Sequence, residues 1–373
     1  MLQRLRSTET CPPGDDYRGL DLSPRELTWT PRSLGAGVHA LLAATLPKNN
    51  HGIVAGDEGA LIIDAGISPR VSRMIQEHAA SLTGSPVRYL VNTSHRGDHT
   101  FGNSAFPASV QIFASAGAKA AMHDLAAEKA RLMLDVDGDD TALGEVTEWR
   151  AAVATFGTKL DIDLGGMAVE LWHFGPGSSP GDAVVYVPQA RTAWTGDFVS
   201  HAGIPPVCLD GCPLAYAASL RRMRELLPDL KTVVPAHGPA GDAQTSIGWL
   251  ITYLHDLYGN VKALWGCGAS ARETVAVCRL SCCWSAPPSL AAAVADYAFT
   301  DPGSGHSSFA ALASSLHRAS IMATYRWLEQ HRPGGDSLPN RLVARSPAPA
   351  TGWPEPPLAH PPAKTSKRDR FAA

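Results

Sequence analysis

With 373 residues, Lys+Arg 32 against Asp+Glu 35 and a formal net charge of -3, the chain is long enough for one large domain with additions or for two domains. The balance removes the broad positive field that nucleic acid or an anionic membrane surface would need, and leaves small molecules or proteins as partners. No run approaches the 18 or more apolar residues of a membrane span, and the opening MLQRLRSTETCPPGDDY has arginines without an apolar stretch behind them, so a soluble, cytoplasmic protein is expected.

Residues 1–33 are polar and Pro-containing without sustained periodicity, and read as an arm laid on the surface or left loose. From Gly37 the texture changes. VHALLAATL and GIVAGDEGALIIDAG predict apolar strands, the latter two joined by Asp-Glu-Gly as a hairpin. VSRMIQEHAASL has helical spacing and VRYLVNTS is a short strand-type run. SAGAKAAMHDLAAEKARLML is Ala-rich with apolar residues at helical intervals, and more helix is expected around EWRAAVATF. The segments MAVELWHF, AVVYVPQ and TAWTGDF are apolar. The amphipathic helix AYAASLRRMRELL then leads into KTVVPAHG.

Beyond about Gly241 the reading is mainly helical, with SIGWLITYLHDLYGNVKALW, SLAAAVADYAF and FAALASSLHRASIMATYRWLEQH packed on the preceding domain, and the Pro-rich stretch 333–373 is read as disordered. Seven cysteines (Cys11, Cys208, Cys212, Cys267, Cys278, Cys282, Cys283) form an odd set without zinc-ribbon spacing, which suits a reducing compartment. The cluster Cys278, Cys282 and Cys283 reads as small buried hydrophobes in a helical segment, with a metal or redox role as the alternative.

Chemistry concentrates where polar residues close apolar runs. NTSHRGDHTFGN at 92–103 follows a strand, and three later segments, GPGSSPGD (175–182), WTGDF (194–198) and VVPAHG (233–238), each put a polar group at a strand end. Four loops at four strand ends can converge on one point.

In order and surroundings these segments closely resemble the metallo-β-lactamase superfamily, whose first motif reads His-x-His-x-Asp-His. GIVAGDEGALIIDAG looks like the family's opening hairpin with a structural aspartate at Asp64, and GPGSSPGD, TGDF and PAHG match the later motifs. The resemblance covers about residues 37–240. It implies an α+β fold, a four-layer αββα sandwich over 34–250, with added C-terminal helices over 251–332. Family members usually hold two zinc ions. Carried over, the second site is complete in Asp98, His99, Asp197 and His237, whereas Ser94, Arg96 and Ser178 replace the three histidines of the first. One ion is therefore expected, Zn²⁺ by ligand type with Mn²⁺ or Fe²⁺ also compatible.

Asp98, Arg96 and His201 are the candidate catalytic side chains. Arg96 is permanently charged and cannot ligate a cation; it either pairs with Asp98 or Asp197, holds a substrate carboxylate or oxyanion, or fills the altered pocket as a structural salt bridge. Strand alternation points His95 away from Ser94 and Arg96, His173 reads as structural, and Ser178 has no evident base for nucleophilic attack.

Two functions follow. One is a metal-dependent hydrolase or cyclase/thioesterase acting on a small-molecule ester, thioester or carrier-bound thioester. A looser likeness to metallo-β-lactamase-fold proteins of bacterial secondary metabolism points to polyketide-type substrates. The helical insertion at 116–156 and the late helices would wall a pocket for a bulky apolar molecule. The other is a non-catalytic descendant that keeps the fold for binding or structure.

Overall fold

The computed structural model describes residues 21–136, 140–207, 209–278, 298–299 and 309–332. The cysteines Cys11, Cys208, Cys282 and Cys283, most of the helix expected at 289–299, and the stretch from 333 lie outside the described residues.

Strand β1 (Trp29–Gly35) pairs antiparallel with β2 (Val38–Ala43), which is followed by the short β3 (Thr45–Leu46). Part of the expected surface arm is thus built into the sheet. Leu22, Leu27 and Trp29 are buried in the core because each is large and apolar, a burial worth about 1.5–3 kcal/mol per side chain. The foreseen hairpin forms from β4 (His51–Gly56) and β5 (Gly59–Ile63), with Asp57 and Glu58 at its tip.

Helix α1 (Pro69–Thr83) carries the chain to β6 (Val87–Val91), parallel to β5. Its limits are written locally. Ser68 accepts a hydrogen bond from the Val71 N–H, Pro69 occupies the first turn, and Gly84 ends it at φ 64.

After α2 (Gly97–Thr100) and β7 (Gln111–Ser115), the expected long helix is split into α3 (Ala116–Ala121) and α4 (Leu125–Leu132), because Asp124 turns out of helix and caps the second by accepting from Ala127 N–H. The short α5 (Asp140–Gly144) follows. The helix expected around EWRAAVATF is not there. That segment runs extended into β8 (Ala154–Phe156), parallel to β7, where Thr155 faces out and Phe156 in. An open edge of β7 and a β-branched, aromatic tripeptide outweigh the helical preference of the alanines.

The second sheet takes β9 (Lys159–Asp163), β10 (Ala168–Trp172), β11 (Val184–Val187) and β12 (Thr192–Gly196). Helix α6 (Pro213–Leu226) crosses over to β13 (Thr232–Pro235), and β14 (Gly241–Asp242) closes the edge. Then come α7 (Ala243–Gly266), α8 (Ala271–Val277), β15 (Ala298–Phe299) and α9 (Phe309–Gln330). Ala298 and Phe299 pair with β3 and are not helical, which corrects the end of the predicted SLAAAVADYAF helix.

The seven-stranded sheet has the order β1-β2-β4-β5-β6-β7-β8 and the six-stranded one β14-β13-β12-β11-β10-β9. Period-2 alternation divides their side chains among three cores. Ile53 and Ile62 face α1, whereas Val54, Leu61 and Ile63 face the other sheet. There they meet Val185, Val187, Trp194 and Val234. Val184, Tyr186 and Val233 lie on the far side, against Tyr216, Leu220, Leu250 and Leu254 of α6 and α7. Helix, sheet, sheet and helix are the four layers of the expected α+β sandwich. Ile321 and Leu328 bring α9 onto the outer layer of α6 and α7, and Cys278 is buried there as a small hydrophobe.

Candidate metal centre

The first cluster residues arise where β6 ends. Asp64, at the end of β5 with φ 62, accepts from Thr93 N–H at 2.7 Å and from Thr93 Oγ1 at 2.6 Å, which pins the loop that enters α2. Asp98 and His99 sit in that short helix, both buried. The same Asp64 carboxylate takes the His99 Nδ1 proton at 2.9 Å. On the opposite side, His237 follows β13 and its Nδ1 donates to the Pro47 carbonyl at 2.6 Å. Carboxylate and carbonyl oxygens here can only accept, so each Nδ1 carries the hydrogen and each Nε2 is left as the ligand atom.

Those two Nε2 atoms converge on two carboxylates. His99 Nε2 lies 3.4 Å from Asp98 Oδ2 and 3.4 Å from Asp197 Oδ2; His237 Nε2 lies 3.5 Å from Asp98 Oδ2 and 3.4 Å from Asp197 Oδ1. Both nitrogens are buried and neither makes a hydrogen bond. A tetrahedral ion with bonds of about 2.1 Å requires ligand atoms about 3.4 Å apart. The spacing fits. Asp98, His99 and His237 each offer an atom within 4.8 Å of the others, and Asp197 flanks this trio by presenting a different oxygen to each imidazole. Asn49, which sequence reasoning missed, donates to Asp98 Oδ2 at 2.9 Å and fixes that carboxylate.

Without an ion the four groups neutralise one another. Burial pushes both imidazoles down, but Asp64, Asp98 and Asp197 outweigh it for His99, and Asp197 with Asp98 for His237, so His99 stands well above 6.5 and His237 is pushed up to about 9. Burial raises the two acids, and the histidines more than reverse this, holding Asp98 and Asp197 well below the usual carboxylate range.

Ser94, Arg96 and Ser178 are also buried. Ser94 accepts from the Arg96 N–H at 3.4 Å, and Ser178 donates to Asp182 at 3.3 Å. Arg96 reaches Asp210 Oδ2 at 2.6 Å, an acid that no motif had marked out. Asp182 is thus an acid beside Ser178, pushed up to about 6 by burial and held back by its hydrogen bonds from Ser179. His95 stays out of the cluster, although it lies in a bend beyond the end of β6 and not on a strand as the alternation argument assumed, and its own pKa is lowered to about 4 by burial and by Arg96. His201 has its Nδ1 bound to the Ala202 carbonyl at 2.8 Å and its ring against Gly241, and it is not one of the groups that converge with Asp98, His99 and His237. His173 bonds the Asp182 carbonyl in the structural role expected of it.

Asp98, Asp197 and Arg96 open onto a cavity of about 820 Å³, walled by residues of α4, α8 and α9 and by the loop carrying Asp210. Among the described residues no helix is long and apolar enough to cross a membrane.

Comparison with known proteins places this geometry. The family model of the metallo-beta-lactamase superfamily matches residues 46–237, just over half of the chain. Among curated proteins, a linear primary-alkylsulfatase of Pseudomonas sp. (strain ATCC 19151) is 23% identical over 242 residues, covering 55% of this chain and 45% of that protein. A 2,4-dinitroanisole O-demethylase subunit alpha of Nocardioides sp. (strain JS1661) is 26% identical over 186 residues, covering 49% and 51%. The chain spans about half the length of these relatives. Similar solved structures include metallo-beta-lactamases from Pontibacter korlensis (TM-score 0.48, 20% identity, 61% of this chain and 99% of that one) and Erythrobacter litoralis (0.45, 17%, 61% and 96%).

Proposed function

The chain belongs to the metallo-beta-lactamase superfamily, and on that premise we propose that it is a metal-dependent hydrolase of an ester-type bond in a small molecule, working with one divalent ion held by Asp98, His99, Asp197 and His237. The observation that carries this reading is the pair of Nε2 atoms, buried and without hydrogen bonds, each 3.4–3.5 Å from two carboxylates while its Nδ1 proton is committed elsewhere. Two carboxylates match the charge of a divalent ion in a buried place, and nitrogen with oxygen donors suits Zn²⁺, with Mn²⁺ or Fe²⁺ also accommodated. When bound, such an ion supplies Lewis-acid polarisation and acidifies water.

The chain's own groups divide the remaining work. Asp64 and Thr93 orient His99, the Pro47 carbonyl orients His237, and Asn49 holds Asp98. Arg96, ion-paired to the half-exposed Asp210 at 2.6 Å, lines the cavity beside Asp98 and Asp197, and in this reading it gives up part of that pairing to meet the negative charge that develops on the reacting group. One curated relative is named as an alkylsulfatase and the other as an O-demethylase, which favours a bond to oxygen over the thioester of a cyclase or carrier protein.

The test is metal analysis of purified full-length chain with Asp98→Ala and His237→Ala beside the parent, followed by turnover of a panel of sulfate, carboxylate and aryl esters. One equivalent of metal in the parent, lost in both variants together with turnover, is expected. A parent that binds no metal when dialysed against Zn²⁺, Mn²⁺ or Fe²⁺, yet keeps its stability, would leave only a binding or structural role.

A further inference from the structure

The cavity is not uniform. Ion pairs neutralise its inner wall, where Arg96 meets Asp210 at 2.6 Å and Arg131 meets Asp135 at 3.1 Å and Glu128 at 2.7 Å. The wall built by α8 and α9 differs. It places Arg272, Arg318 and Arg326 on the cavity and no acid. Arg318, Met322 and Arg326 recur at four-residue intervals and so share one helical face.

The same two helices carry two acids, each with a partner. Glu273 closes the capping box with Ser270, and Glu329 accepts from Trp265 Nε1. Arg272 and Arg318 form no ion pair with any described residue. Between the charges the wall is apolar, from Val275, Met322 and Ala323, and the same cavity is lined by Leu134, a large apolar side chain that is 67% exposed. Ser320 adds a polar atom to the lining: its Oγ is buried and makes no hydrogen bond.

Guanidinium charge without an ion pair among the described residues, beside apolar surface, matches one kind of molecule. Guanidinium recognises carboxylate, sulfate or phosphate through paired N–H donors, and the apolar residues gain by covering hydrocarbon. We propose that the α8–α9 wall is a recognition site for an amphipathic organic anion, which seats its charged group on Arg272 and Arg318 and its hydrocarbon on Val275, Met322 and Leu134. The anion contact stands on this wall alone. The claim that such an anion is also the substrate rests on the hydrolase reading above, because the same cavity reaches Asp98 and Asp197.

The experiment is calorimetric titration of the full-length protein, metal-loaded and chelator-stripped, with octanoate, octan-1-ol and acetate. Octanoate is expected to bind at least about tenfold more tightly than either comparison ligand, in both forms of the protein. Arg272→Gln with Arg318→Gln should weaken octanoate at least about fivefold and leave octan-1-ol unchanged, the double Lys variant should restore most of the loss, and Met322→Asp should weaken octanoate and octan-1-ol together. Equal affinity for octanoate and octan-1-ol, or a preference indifferent to both arginines, would overturn the proposal. A preference that vanishes on stripping would overturn it too, since the carboxylate would then be bound by the ion. A chain that takes up no metal but keeps the preference would refute the hydrolase reading and leave this one standing.

Discussion

Arg96 and Asp210 form an ion pair at 2.6 Å across 114 residues of sequence, with the guanidinium 8% exposed and the carboxylate 47% exposed. The partners are therefore unequal. Asp210 is tethered further by its N–H to the Ser178 carbonyl at 2.9 Å, so the segments carrying Arg96, Ser178 and Asp210 meet at this pair. Removing the exposed partner takes one anion from a buried guanidinium that keeps its other contacts, whereas removing the buried one leaves a carboxylate that water solvates. Asp210→Ala should cost about 1–2 kcal/mol, and Arg96→Met less than half of that. Urea titration of both variants decides it: equal losses, or a larger loss for Arg96→Met, would mean that the other contacts of the guanidinium hold it more strongly than Asp210 does.

A second prediction separates backbone from charge at Asp64. This residue sits at φ 62, a left-handed conformation that Asn tolerates nearly as well as Asp. Asp64→Asn therefore keeps the turn while removing the carboxylate that takes the His99 Nδ1 proton. Metal affinity should fall by about 10–100-fold, the usual effect of losing a partner that orients a ligating imidazole. Competition with a chromophoric chelator reads this directly, and an unchanged affinity would show that Thr93 alone holds the ring.

How much of this was legible in the sequence depends on separation along the chain. Asp98 and His99 are adjacent in one loop, and Asp197 and His237 each close an apolar run, so motif order located them. Asn49, Pro47 and Asp210 reach their partners across 49, 190 and 114 residues, and no local periodicity encodes such contacts. What was not legible elsewhere has the same origin. The end of EWRAAVATF became a strand because β7 offered an edge, and the contact of His201 with Gly241 is visible only once β14 is placed.

Close approach of backbone to side chain makes Gly196 a sensitive point. Its φ is +53, and a Cβ there would lie 2.4 Å from Thr93 Oγ1 and 2.8 Å from Thr93 Cβ. Thr93 is the residue that bonds both Asp64 and His99. Gly196→Ala should destabilise by about 2–4 kcal/mol and weaken metal binding as well, since strain and displacement act together. Gly259 is the control: it lies inside α7 with open space around it, so Gly259→Ala should stabilise by about 0.5–1 kcal/mol. Thermal unfolding of the pair would contradict this account if the two variants shifted Tm in the same direction.

Acidity supplies the last test, because between pH 6.5 and 9 the stripped protein should lose stability while the metal-loaded one, whose Nε2 atoms carry no proton, should stay level. In the stripped chain the folded-state values of His237, about 9, and of His99 exceed the ordinary 6.5, so their contribution to stability is complete below pH 6.5 and is lost as pH rises toward 9. Asp98 and Asp197 are depressed, so their contribution is present above pH 3.8 and is lost below it. The stripped protein should lose Tm between pH 6.5 and 9. An ion needs both Nε2 atoms unprotonated, and protons compete for them over that same interval, so metal affinity rises as pH rises. The gap in Tm between loaded and stripped protein should accordingly widen from pH 6.5 to 9 at fixed free metal. A gap that stays constant or narrows would mean that the two imidazoles are not the groups displaced, and that the ion, if bound, is held elsewhere.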